Sequence, residues 1–95
     1  MFKIALEKNM SGGSLPYQVA HGNFTLKFSN GYTVSLAMGD GMYSEGNFQE
    51  GFNTIEVGVW DDKGDWYCPW NDNNDVIGYQ TVEEVLEIIN EVAEL

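Results

Sequence analysis

The stretch FTLKFSNGYTVSLAM, residues 24–38, constrains the fold more than any other, because only one register makes it amphipathic. A two-residue Asn30-Gly31 turn would set Phe28 opposite Thr33 and Leu26 opposite Ser35, mixing apolar and polar positions. A three-residue loop of Ser29, Asn30 and a left-handed Gly31 pairs Phe28 with Tyr32, Leu26 with Val34 and Phe24 with Leu36. Side chains alternate across a strand, so this register gathers the bulky residues on one face and a slip by one scatters them. The sequence thus predicts a hairpin with the three-residue loop and a second layer to cover its apolar side.

The same reasoning applies to TIEVGVW (54–60) and DWYCPW (65–70), which flank Asp61-Asp62-Lys63-Gly64. A four-residue loop sets Val59 against Trp66, Val57 against Cys68 and Ile55 against Trp70, an apolar face. Its reverse carries Glu56, Gly58 and Trp60 opposite Pro69, Tyr67 and Asp65. Pro69 has no N–H to donate, so the last strand is expected at an edge. At the start of the chain, Phe2, Ile4 and Leu6 alternate with Lys3, Ala5 and Glu7, which reads as a further strand. The glycine-rich stretch 39–53 reads as a long loop joining the hairpins.

TVEEVLEIINEVAEL closes the sequence as a helix over Thr81–Glu94, about 21 Å long. Thr81 and Glu84 have capping-box spacing, and Val82, Val85, Leu86, Ile89, Val92 and Ala93 form its apolar stripe. The expected fold is α+β: an antiparallel meander of about five strands packed on one C-terminal helix, a single domain over residues 1–95.

Charge narrows the function. The net charge is −11, with no arginine. Residues 1–48 balance three acids with three lysines, whereas residues 49–95 hold twelve acids against Lys63 alone. Direct binding to nucleic acid needs cationic phosphate contacts and is not expected. No apolar run approaches the roughly 20 residues of a membrane span, and MFKIALEKNM lacks a signal-peptide core. A single cysteine, Cys68, allows neither an internal disulfide nor a thiolate metal cage, which suits a reducing cytoplasm.

Chemical motifs fail on inspection. An EF-hand frame from Asn71 matches at Asn73 and Asp75 but has Val76 where Gly is required and Val82 where Glu is required. An Asx-rich turn or a weak, irregular calcium site is left at residues 71–75. Gly46 to Gly51 has phosphate-loop spacing, but Phe52 and Asn53 replace Lys and Ser/Thr. His21 and Cys68 carry no nucleophile signature, and nothing signals a carboxylate dyad with split pKa values. No catalytic, cofactor-binding or metal-ligating residue is assigned, and the chain is read as a non-enzyme.

Two features exceed what solubility requires. The helix's polar face carries Glu83, Glu84, Glu87, Glu91 and Glu94 with no cation, although like charges four apart and acids at a helix C-terminus are both unfavourable. The reverse face of the second hairpin is expected to show Trp60 and Tyr67 among Glu56, Asp61 and Asp65, an aromatic anchor with a charged rim. The candidate partner-binding set is therefore Glu56, Trp60, Asp61, Asp65, Tyr67, Glu83, Glu87 and Glu91.

The elements NGYTVSLAMGDGMY, IEVGVWDDKGDWY and DVIGYQTVEEVLEIINEV together resemble a group of small, uncharacterised bacteriophage-encoded proteins, over about residues 24–95. The resemblance implies a phage origin and action in the host cytoplasm, with virion association as an alternative; it implies no activity. Read together, the expected role is a phage-type accessory binding module whose acidic half docks a basic protein surface, in one form as a nucleic-acid mimic that inhibits a host protein. The alternative is an assembly protein that forms homo-oligomers or virion contacts through its Trp/Tyr face or an open strand edge.

Overall fold

The computed structural model describes residues 21–70 and 75–95. It is an α+β fold: a five-stranded antiparallel sheet and one C-terminal helix. The strands are β1 (His21–Lys27), β2 (Thr33–Gly39), β3 (Glu45–Asn47), β4 (Gly51–Trp60) and β5 (Val76–Gln80), followed by α1 (Val82–Ala93). The strand expected at Phe2–Glu7 lies outside the described residues.

The first hairpin has the expected register, with Phe24 opposite Leu36 and Leu26 opposite Val34. Phe28 N–H donates to the Tyr32 carbonyl at 2.8 Å and Gly31 N–H to the Phe28 carbonyl at 3.0 Å, closing the three-residue loop. Gly31 has φ of 95°, where any side chain would be strained.

β4 is the spine of the sheet. Its outer half pairs with β2, Thr33 standing opposite Trp60 and Ala37 opposite Glu56. Its first half pairs with β3, and β5 aligns with it through Val76–Gly58, Ile77–Val57 and Gln80–Ile55. The stretch 39–53 is therefore more than a loop: it holds β3, a turn at 48–50 and the start of β4. Alternation along β4 sends Ile55, Val57 and Val59 inward, where all three are fully buried with Val34, Met38 and Phe52.

The helix begins as its capping box requires. Glu84 N–H donates to Thr81 Oγ1 at 3.3 Å, and Thr81 N–H donates to Glu84 Oε1 at 3.0 Å. Val85 and Val92 are buried and Ile88 and Ile89 pack beside them, so the stripe is rotated from the expected one. Leu86 (54% exposed) and Ala93 fall on its flank. At 100° per residue both lie to one side of the line through Val85, Ile89 and Val92. Burying each of the four aliphatic side chains stabilises the domain by about 1.5–3 kcal/mol at full burial, which holds the helix down despite its polar face.

The far end of α1 is tied to the first hairpin. Asn30 Nδ2 donates to the Val92 carbonyl at 2.8 Å and to the Leu95 carbonyl at 3.2 Å, while its Oδ1 accepts from Tyr32 N–H at 3.1 Å. No basic residue stands in the last turn of α1, so an uncharged amide satisfies carbonyls that a lysine or arginine often serves.

Candidate functional site

The second hairpin is closed as the first is, and not as its apolar pattern led one to expect. Asp61 N–H donates to the Asp65 carbonyl at 2.9 Å and Gly64 N–H to the Asp61 carbonyl at 3.1 Å. The loop is thus the three residues Asp62-Lys63-Gly64, with Gly64 at φ 83°. Asp61 Oδ1 secures it by accepting from the N–H groups of Lys63 at 2.9 Å and Asp65 at 3.0 Å. The shorter loop moves the register by one residue, so that Trp66, not Asp65, faces Trp60. Every side chain beyond the turn changes face as a result.

Three expectations are corrected by that slip. Tyr67 does not lie beside Trp60: its N–H bonds to the Val59 carbonyl at 2.8 Å and its ring turns to the core side, edge-on to Tyr32 at 5.8 Å between centroids. Cys68 is exposed rather than on the core face, and its thiol donates to the Asp75 carbonyl at 3.8 Å. The strand expected over 65–70 is reduced to a single bridge at Trp66, because Pro69 cannot continue a ladder; β5 takes the place beside β4.

Trp66 takes the position expected for Tyr67. The indoles of Trp60 and Trp66 meet at 79° with centroids 5.4 Å apart, on the side of the sheet away from the helix. They form, with Gly64, the walls of an open notch of about 290 Å³. Trp66 lies across Gly58: a Cβ added there would stand 3.0 Å from the Trp66 Cζ3 and 3.1 Å from the Val76 Cγ1. The missing side chain is what lets the indole come this close to the strand.

Five of the acidic residues, Asp61, Asp62, Asp65, Glu91 and Glu94, gather at one end of the molecule. The Gly31 turn and the 62–64 turn touch, Asp62 Cβ being 3.3 Å from where a Gly31 Cβ would stand. Asn30 draws the end of α1 to the same place. Asp61, Asp62 and Asp65 therefore neighbour the last helical turn, which carries Glu91, with Glu94 as its C-cap. Among the described residues, Lys63 and Lys27 are the cations of that end. The charge of Glu91 reaches Tyr67: burial first, then Glu91, then Tyr32 raise its phenol above the ordinary value of 10.0.

Of the eight residues singled out from sequence, Trp60, Asp61, Asp65, Tyr67 and Glu91 come together at this end. Glu87 lies one helical turn away from Glu91, about 6 Å along the axis. Glu83 is in the first turn of α1, remote from the cluster. Glu56 lies along β4 opposite Ala37 and accepts the Tyr43 N–H at 3.3 Å. The helix acids and the tryptophan notch look in opposite directions, with the sheet between them. Trp66 is the residue that sequence reasoning missed; Gly64, the φ-permissive residue three after Asp61, was the signal that would have found it.

Among the described residues, no group of three or more His, Cys, Asp or Glu side chains is placed to hold a metal ion, and no helix is long and apolar enough to cross a membrane. Four residues of the Asn71–Asp75 frame, 71–74, lie outside the described residues. Comparison with protein-family models, with curated proteins and with solved structures returned no match.

Proposed function

We propose that this chain is a non-enzymatic, phage-type binding module whose acidic C-terminal half docks a basic protein surface. The observation that carries the reading is the convergence of Asp61, Asp62, Asp65, Glu91 and Glu94 at one end, continued along α1 by Glu87 and Glu83. The exposed helix acids lie within roughly 100° of arc opposite the buried stripe. Uncompensated like charges cost stability, which a purely structural helix would avoid with lysines. A field of one sign accelerates encounter with a basic partner and makes it salt-dependent. In its sharper form the row Glu83, Glu87, Glu91, spaced at about 6 Å, stands in for a nucleic-acid backbone.

The test is capture from host lysate across a salt series. A basic, nucleic-acid-binding protein should be retained at low salt and released as salt rises. Glu87→Lys with Glu91→Lys should abolish its retention, and a double variant that captures the same protein refutes the proposal. A second reading, self-assembly, is favoured by β1, which pairs only with β2 among the described residues and leaves Phe24 46% and Leu26 40% exposed. Light scattering separates the two: a salt-insensitive oligomer favours assembly, a monomer the docking module.

A further inference from the structure

We infer that the notch between Trp60 and Trp66 receives the guanidinium of an arginine side chain presented by the basic partner. The inference rests on the docking proposal for the source of the arginine, but the notch itself can be tested without any partner.

The walls decide the class of ligand. Two indole faces near a right angle, 5.4 Å between centroids, present concave π-surface with Gly64 adding no side chain of its own. The negative faces of aromatic rings attract cations, and indole does so best. The hairpin that carries both tryptophans turns through Asp61, Asp62 and Asp65, against Lys63, so the local field favours positive charge. The 79° angle adds a shape requirement. A flat cation stacked on one indole points its N–H edge at the face of the other, which a guanidinium satisfies with both contacts at once.

Hydration separates arginine from lysine. The notch is almost wholly carbon and supplies no acceptors to replace an ammonium's water shell. Guanidinium is more weakly hydrated, and its planar faces carry no hydrogen-bonding demand. Trp66 is 46% exposed, so the wall is accessible without rearrangement of the core. Gly58 bears on the geometry of the site, since a Cβ there would press Trp66 or Val76 back by a few tenths of an ångström.

The experiment titrates the intact chain with acetyl-Gly-Arg-Gly-amide and follows the indole N–H signals of Trp60 and Trp66 by two-dimensional NMR. Lysine and citrulline replace arginine in parallel peptides. The arginine peptide should shift both indole signals saturably, the lysine peptide more weakly, and the uncharged citrulline peptide not at all. Trp66→Ala should weaken arginine binding about three- to fivefold, the range of a solvent-exposed cation–π contact. Gly58→Ala, which keeps the indole but displaces it, should weaken it in the same direction.

Equal binding of citrulline and arginine overturns the inference, as does arginine affinity in Trp66→Ala equal to that of the native chain. The native chain alone decides the first point, so a variant that fails to fold leaves the test intact. Glu87→Lys with Glu91→Lys lies on the opposite side of the sheet and should leave peptide affinity within about twofold at physiological salt. Loss of partner capture with peptide binding retained removes the docking proposal only. Absent peptide binding with partner capture retained removes the notch only.

Discussion

Asn30 makes the most exacting test of how the two layers are joined. Its amide donates to the Val92 and Leu95 carbonyls, and its oxygen accepts from Tyr32 N–H. One contact is part-buried and two are exposed, so water replaces the exposed pair with little loss. A typical intramolecular hydrogen bond contributes about 0.5–1.5 kcal/mol net, which sets the loss in Asn30→Ala at about 1–2 kcal/mol. For a domain of this size each 1 kcal/mol lowers Tm by roughly 4–8 °C. Asn30→Asp separates the two roles of the side chain: it keeps an acceptor for Tyr32 N–H but cannot donate to the helix. Its carboxylate would face the negative end of α1, near Glu91 and Glu94, for a further loss of about 0.3–1 kcal/mol. At neutral pH Asn30→Asp should therefore be at least as destabilising as Asn30→Ala in urea or thermal unfolding followed by circular dichroism. If the aspartate variant matches the native chain within about 0.3 kcal/mol, Asn30 serves only its own turn, and the proposed tie to the helix is wrong.

Three further outcomes follow from the same contacts. Because the Tyr67 phenol is held above its ordinary value in the folded state, its contribution is fully present below about pH 10 and is lost as pH rises through the folded value; Tyr67→Phe should flatten the alkaline decline of the urea midpoint. Thr81→Ala should cost about 1 kcal/mol, read from the same unfolding curves, by removing the helix cap. Glu87→Lys with Glu91→Lys should raise stability by a few tenths of a kcal/mol, since it turns the repulsion between positions 83 and 87 into attraction and places a cation near the end of α1, while positions 87 and 91 stay like-charged; a fall in the unfolding midpoint would contradict that account.

The two hairpins differ in what their sequences could reveal. FTLKFSNGYTVSLAM alternates strictly, so only one register gathers its large residues on one face, and the left-handed Gly31 is in the position that register demands. DWYCPW places Trp66, Tyr67 and Cys68 in succession, so its two candidate registers look equally apolar and pattern cannot choose between them. Turn geometry decides, through the Asp61 carboxylate and Gly64, and exchanges Tyr67 for Trp66 in the site. β5 was illegible for another reason: VIGYQ is short, contains a glycine and holds Tyr79 at φ 54°, a backbone few non-glycine residues adopt. The helix was legible nearly to the residue because its capping box is local, whereas its buried stripe depends on how the helix is set against the sheet.

The placement of the glutamate row and the indole pair on opposite sides of a single sheet has a geometric corollary. A partner seated on the glutamate row alone does not reach the indole pair, so a single partner that engages both must wrap round the Asp61–Asp65 end, the rim that the two sides share.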